Sequence, residues 1–248
     1  MSGIQEVLRL VLMATAVVGY YWIVVDKLGA LSRPLVDVTG LARRYPSRDI
    51  SAVINLPLAG LSQAAFFLVL LTLTGIQSVA FVGRGFQSVL LLYGVLLGIA
   101  DMALSTFLCN VGIHVANEIA PRGSPADLSE WLVIARGGWM RYYLRTIDLA
   151  PLPVALLSIL LYVAIEEIVF RGLLINYFAP LGAVAAVILS TLLFAAVQVF
   201  HMPGWRSAMF PVIGALVVGV LHGALFIAVP NVIPLIIAHL VFLIVAVV

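Results

Sequence analysis

The chain has 248 residues, of which 64% are hydrophobic and only 10% charged, with a mean hydropathy of +1.20. Soluble globular domains run at roughly 45–50% apolar and about 25% charged residues, so the composition excludes one and defines a multi-pass membrane protein. A net charge of +2 gives no basis for nucleic-acid binding, and the single Cys109 excludes an internal disulfide and any multi-cysteine metal site.

Charge-free runs predict an all-α, polytopic bundle of about seven transmembrane helices, since one crossing needs roughly 20 apolar residues. The first covers residues 10–25, with Arg9 placed to snorkel and Tyr20, Tyr21 and Trp22 suited to an interfacial belt. It lacks a small-residue cleavage pattern and reads as a retained helix rather than a signal peptide. Residues 26–51 form a polar connection with five Lys/Arg and three Asp, broken by Pro34, Gly40 and Pro46. The 34 uncharged residues between Asp49 and Arg84 hold a second helix at about 57–75 and a turn region. A third spans about 88–116 and contains Asp101.

A second polar connection, residues 117–148, carries Arg122, Arg136, Arg141 and Arg145 among Trp131, Trp139, Tyr142 and Tyr143. Its second half has the interleaved basic and aromatic character of an interfacial segment; an ordinary juxtamembrane loop is the alternative. The fourth helix spans 149–178 and the fifth about 181–200. The final 42 residues, 207–248, carry no formal charge and hold two more helices, broken at Pro230, Asn231 and Pro234. The long second connection divides the chain into an N-terminal three-helix membrane region, 1–148, and a C-terminal four-helix core, 149–248.

Chemistry concentrates in the fourth helix. Glu166, Glu167 and Arg171 lie in an otherwise apolar span, where each ionised group costs on the order of 2.5–3.5 kcal/mol, so a functional site is the default inference. At about 100° per residue, Glu167 and Arg171 share a face in the i,i+4 order that favours pairing. Glu166, about 100° away from Glu167, has no local partner and is left free to act as a general base. An inter-helix ion cluster that only locks the bundle is the bland alternative. His201, His222 and His239 follow on helices five to seven, with Gln198 close before His201; such imidazole and carboxamide N–H groups are what a developing oxyanion requires. For each histidine alone, a hydrogen-bonded packing role is the competing reading. Nothing local distinguishes His222 from packing, and neither Asp101 nor His114 has a clear role.

These residues resemble a known family. Glu166-Glu167-Ile168-Val169-Phe170-Arg171-Gly172 is similar to the EExxxR motif of the CAAX-protease and bacteriocin-processing (CPBP, or Abi) family of intramembrane proteases. Leu189-Ser190-Thr191-Leu192-Leu193-Phe194-Ala195-Ala196 resembles the run before that family's FxxxH motif. The tail with Asn231-Val232-Ile233-Pro234-Leu235-Ile236-Ile237-Ala238-His239 is similar to the helix bearing its last histidine. The resemblance covers about residues 149–248 and implies an all-helical endopeptidase cleaving a membrane-associated protein or peptide precursor near a membrane face. It carries Glu166, Glu167, Arg171 and His239 over as site residues. Two positions depart from it: Gln198 stands where the family has histidine, and Leu243 where it usually has asparagine. His201, three residues after Gln198, lies about 60° away on the same helical face and offers a replacement imidazole.

The expected function is thus glutamate-activated hydrolysis of a peptide bond, with Glu166, Glu167, Arg171, Gln198, His201 and His239 as site residues. The alternatives are a catalytically inactive relative kept for binding or bacteriocin immunity, and a proton-coupled transporter. No internal repeat supports the transporter, and the HExxH spacing of a zinc protease is absent. The residues call for no cofactor, with metal assistance as the open alternative. The expected partners are the lipid bilayer and a peptide or protein substrate, with no nucleic acid. Lys/Arg counts of ten against two on alternate sides of a seven-helix arrangement place the long basic connections in the cytoplasm and the N-terminus outside. Cysteines introduced within residues 26–51 are therefore expected to stay unlabelled by an impermeant thiol reagent in intact cells; labelling there overturns the orientation.

Overall fold

A computed structural model describes residues 3–38, 46–77, 81, 87–119, 140–200, 202 and 205–247. They are helical almost throughout, and no strand occurs among them. In chain order the helices are α1 (Gly3–Gly19), α2 (Asp26–Val38), α3 (Ser47–Thr74), α4 (Val89–Ile119), α5 (Met140–Leu149), α6 (Leu152–Glu167), α7 (Ile175–Phe178), α8 (Ala183–Val199), α9 (Trp205–Ala228) and α10 (Ile233–Val247). Two wide π-helical stretches interrupt them: Tyr20–Val25 between α1 and α2, and Ile168–Leu174 between α6 and α7. Five stretches are long and apolar enough to cross a membrane, Val7–Val24, Asp49–Thr74, Val89–Ile119, Leu152–Leu181 and Ser207–Ala228, and two shorter apolar helices accompany them. Leu12, Trp22, Leu73, Leu157 and Val184 point outward, as lipid-facing side chains do. The protein is a polytopic helical bundle, because only a helix satisfies its own backbone where no water is available.

Local chemistry sets the breaks. Gly75 closes α3 in the left-handed region, φ +66°, and donates its N–H to the Leu71 carbonyl, an arrangement glycine adopts without a Cβ penalty. Asn231 caps α10 by accepting the Ile233 N–H on its side-chain oxygen at 2.9 Å. One expectation is corrected: part of the polar connection at 26–51 is helix α2. Its buried residues Leu28, Ser32 and Val36 recur every fourth position, and Ser32 Oγ hydrogen-bonds Ser51 Oγ of α3 at 2.6 Å. Pro34 lies on the exposed side and does not end the helix. The expected fourth span starts at Leu152 rather than at residue 149, and the end of the polar connection at 117–148 is the short helix α5, which packs across α3 and α6.

Lipid tails give no hydrophobic drive to join two apolar helices, so close packing has to do it. Gly94 and Gly98 of α4 form a Gly-x-x-x-Gly seam against α10. A Cβ at Gly94 would lie 2.6 Å from Ile237 Cβ, and one at Gly98 would lie 2.5 Å from the Ala238 carbonyl oxygen. Gly219 and Gly223 of α9 form a second such seam against Thr191 and Val187 of α8. Backbone thus meets neighbouring helix with almost nothing between, and the side chains just beyond each seam are fixed in position. Gly98→Ala is expected to destabilise the detergent-solubilised protein by about 1–3 kcal/mol, the usual range for overpacking. Gly112→Ala, whose added methyl meets the flexible end of Met209 at 3.3 Å and Ile213 Cδ1 at an ordinary 3.7 Å, should change the melting temperature little.

Candidate active site

The site forms where α6 passes into the π-helical stretch Ile168–Leu174, against α4, α8, α9 and α10. Glu167, the last residue of α6, is fully buried and accepts three hydrogen bonds or ion pairs. Arg171 Nη1 reaches its Oε1 at 3.3 Å, His239 Nδ1 reaches the same oxygen at 2.7 Å, and His222 Nδ1 reaches Oε2 at 3.0 Å. The other ring nitrogen of His222 meets Asp101 Oδ2 at 2.9 Å. An imidazole held between two carboxyl groups needs a proton on both nitrogens or one on a carboxyl, since an ionised carboxylate only accepts. The Arg171 guanidinium also stacks over the Phe194 ring at 4.3 Å. Ser190 Oγ of α8 donates to the Phe170 carbonyl and ties the π stretch to its neighbour.

Glu166 faces elsewhere. It lines a cavity of about 50 Å³ together with Tyr21, Tyr143, Tyr162, Gln198 and His239, closed by Phe194, Phe210 and Phe242 among others. One water needs about 10–15 Å³, so the cavity has room for water and the end of a reacting group. Tyr162, one turn before Glu166, directs its hydroxyl to the Glu166 carboxyl. Tyr143 of α5 is buried, and burial first, then the nearby Tyr162 and Glu166, push its phenol well above the usual range and keep it protonated. The two adjacent glutamates therefore do different work: Glu167 is spent on the three-donor network, and Glu166 meets the cavity.

Among the expected site residues, Glu166, Gln198 and His239 share the cavity, and Glu167 and Arg171 form the buried pair beside it. His201 lies outside the described residues. Leu243 is buried in the apolar core. His222 and Asp101, which had no assigned role, are wholly buried members of the network, whereas His114 is exposed. A signal for both was present. Asp101 continues the buried face of α4 formed by Gly94, Gly98, Ser105 and Cys109, spaced three or four apart, and His222 sits between Gly219 and Gly223. Small residues at that spacing mark a helix contact, and a lone acid on it must meet a donor from the facing helix. Among the described residues, no group of three or more His, Cys, Asp and Glu is arranged to hold a metal ion.

Fold and site together define a membrane-embedded helical protein with a buried, cavity-lining acid. Residues 148–245 match the family model described as type II CAAX prenyl endopeptidase Rce1-like, which bears out the resemblance to the CPBP intramembrane proteases. The match spans the whole of α6 to α9 and most of α10, hence Glu166, Glu167, Arg171, Gln198, His222 and His239; it leaves out Tyr21, Asp101 and Tyr143. No curated protein and no solved structure matched the chain.

Removing Arg171 leaves Glu167 short of its guanidinium partner in a dry setting. Arg171→Ala is expected to lower stability by about 3–5 kcal/mol, read as a loss of melting temperature in detergent. Unchanged melting would mean that the two histidines alone satisfy Glu167.

Proposed function

We propose that the protein is an intramembrane endopeptidase in which Glu166 activates water to hydrolyse a peptide bond of a membrane-associated protein or peptide precursor. The observation that carries this reading is the division between the two glutamates: Glu167 is saturated by Arg171, His222 and His239, while Glu166 lines the cavity beside Gln198 and His239. Glu166 takes a proton from water as the oxygen bonds to the peptide carbonyl carbon. As the carbon–nitrogen bond breaks, the same proton passes to the leaving amine. The Gln198 carboxamide orients the water or the carbonyl. His239, anchored through Nδ1 on Glu167, turns its other nitrogen to the reacting centre, and so Glu167 and Arg171 act by positioning it. The Rce1-like match supports a CAAX-type peptide bearing a lipid as the first substrate class to try.

A second reading, an inactive relative that binds peptide or confers bacteriocin immunity, is favoured by Gln198 and Leu243, which stand where the resemblance would put histidine and asparagine. The two readings separate on one comparison. Purified protein in liposomes is given a fluorogenic farnesylated CAAX-type peptide and an unlipidated hydrophobic peptide pool. Wild type is expected to cleave and Glu166→Gln to lose turnover with its melting temperature preserved. Equal cleavage by both removes Glu166 as the base, and a wild type that cleaves neither probe favours the binding reading.

A further inference from the structure

The first membrane helix contributes to the site from outside the matched segment. Tyr21 lies in the π-helical stretch Tyr20–Val25, is only 2% exposed, and lines the same cavity as Glu166, Gln198 and His239. Its ring packs on Phe170 of the second π stretch, centroids 5.8 Å apart, so the two irregular turns meet just behind the cavity wall. The neighbouring Tyr20 anchors the segment: its hydroxyl donates to Ser62 Oγ of α3 at 3.0 Å, and its ring stacks on Phe66 at 4.1 Å. Tyr21 is therefore held in place rather than free to turn away.

The three phenols lining the cavity are not equivalent. The Tyr162 hydroxyl is engaged by Glu166, and the Tyr143 ring packs edge-on against Tyr162 with centroids 5.9 Å apart. The Tyr21 hydroxyl is buried without any hydrogen-bond partner among the described residues. Such a group calls for an acceptor from whatever enters the cavity, since native structures keep few buried donors unpaired. Single-turn π segments inside helices recur at functional sites for a related reason, because the extra residue re-aims a side chain at a cost the regular helix would not bear. A phenol beside a general base, with its proton unused, is a donor waiting for an acceptor that arrives from outside.

We propose that Tyr21 is a catalytic residue whose phenol O–H hydrogen-bonds the carbonyl oxygen of the peptide attacked at Glu166, and strengthens that bond as the oxygen becomes an oxyanion. This rests on the proposed peptidase reading. Tyr21 keeps its proton throughout. The water proton travels by way of Glu166 to the leaving nitrogen, and the electron pair of the carbonyl is received by the oxygen that Tyr21 faces, then returned when the carbon–nitrogen bond breaks. An acceptor of this kind is a peptide carbonyl, whatever lipid the substrate carries.

The test uses the full chain in liposomes with Tyr21→Phe, which removes one oxygen atom and keeps the ring contacts with Phe170 and Tyr20. On the farnesylated fluorogenic peptide, kcat is expected to fall about 10²–10³-fold, the usual loss for one oxyanion donor, with KM within a few-fold and melting temperature unchanged. A phosphinate analogue of that peptide, which presents a tetrahedral anion, should lose affinity to a similar degree. Wild-type kcat in Tyr21→Phe together with an inactive Glu166→Gln overturns the role of Tyr21 and leaves the peptidase standing. A raised KM with kcat preserved assigns Tyr21 to substrate binding alone and also overturns it. Full activity in Glu166→Gln, or a wild type that neither cleaves the peptide nor binds the phosphinate, overturns both.

Discussion

A carboxylate shut away from water inside a lipid-facing bundle has to be surrounded by donors, and Glu167 meets that requirement with three, each from a different helical segment. Arg171 comes from the π stretch, His222 from α9 and His239 from α10, while Asp101 of α4 holds the far side of His222. Remove any donor and the remaining charge is poorly compensated in a medium where that is costly. The relative placement of four membrane helices is thus tied to the satisfaction of one side chain. Glu166, next in sequence, inherits a fixed position without spending its own oxygens on the network.

Charge satisfaction alone does not bring helices close enough for imidazole-length contacts. The glycine seams do so, by letting α4 approach the backbone of α10 and α9 approach α8. His239 follows Ala238, the residue whose carbonyl faces Gly98, and His222 lies inside the second seam, so the packing motifs and the polar network are parts of one arrangement. Packing in the apolar region sets distance, and hydrogen bonding sets identity and rotation. The first seam and the network both reach outside residues 148–245, since Gly94, Gly98 and Asp101 come from α4.

Much of this can be read from the chain by spacing. Four residues separate Glu167 from Arg171, which puts them on one helical face, and about 100° separates Glu166 from Glu167, which sends it to another. The apolar run lengths give the seven hydrophobic helices. The Asp101 to His222 contact could not be read that way, because 121 residues separate the pair and each stands alone in an apolar segment. Only the small-residue periodicity around them points to a shared interface. Helix α2 was hidden by its charges and Pro34, which outweighed a buried repeat of three positions. Composition alone places Tyr21 in an interfacial belt, where a phenol near the end of an apolar run usually serves; its burial depends on a turn type that composition does not announce.

That turn type makes the first span sensitive to length in a way it is not sensitive to chemistry. A π turn takes up one residue more than an α turn without turning the flanking helix, so deleting a single codon within Tyr20–Val25 would restore regular helix while keeping α1 and α2 close to their present faces. Met13 and Val17 of α1 and Leu28 and Val36 of α2 would stay buried, and the widened turn that carries Tyr21 would be lost. An in-frame deletion there should accordingly be tolerated by the bundle and felt at the cavity wall, whereas an inserted residue, with no further turn to absorb it, would swing one helix about 100° around its axis relative to the other.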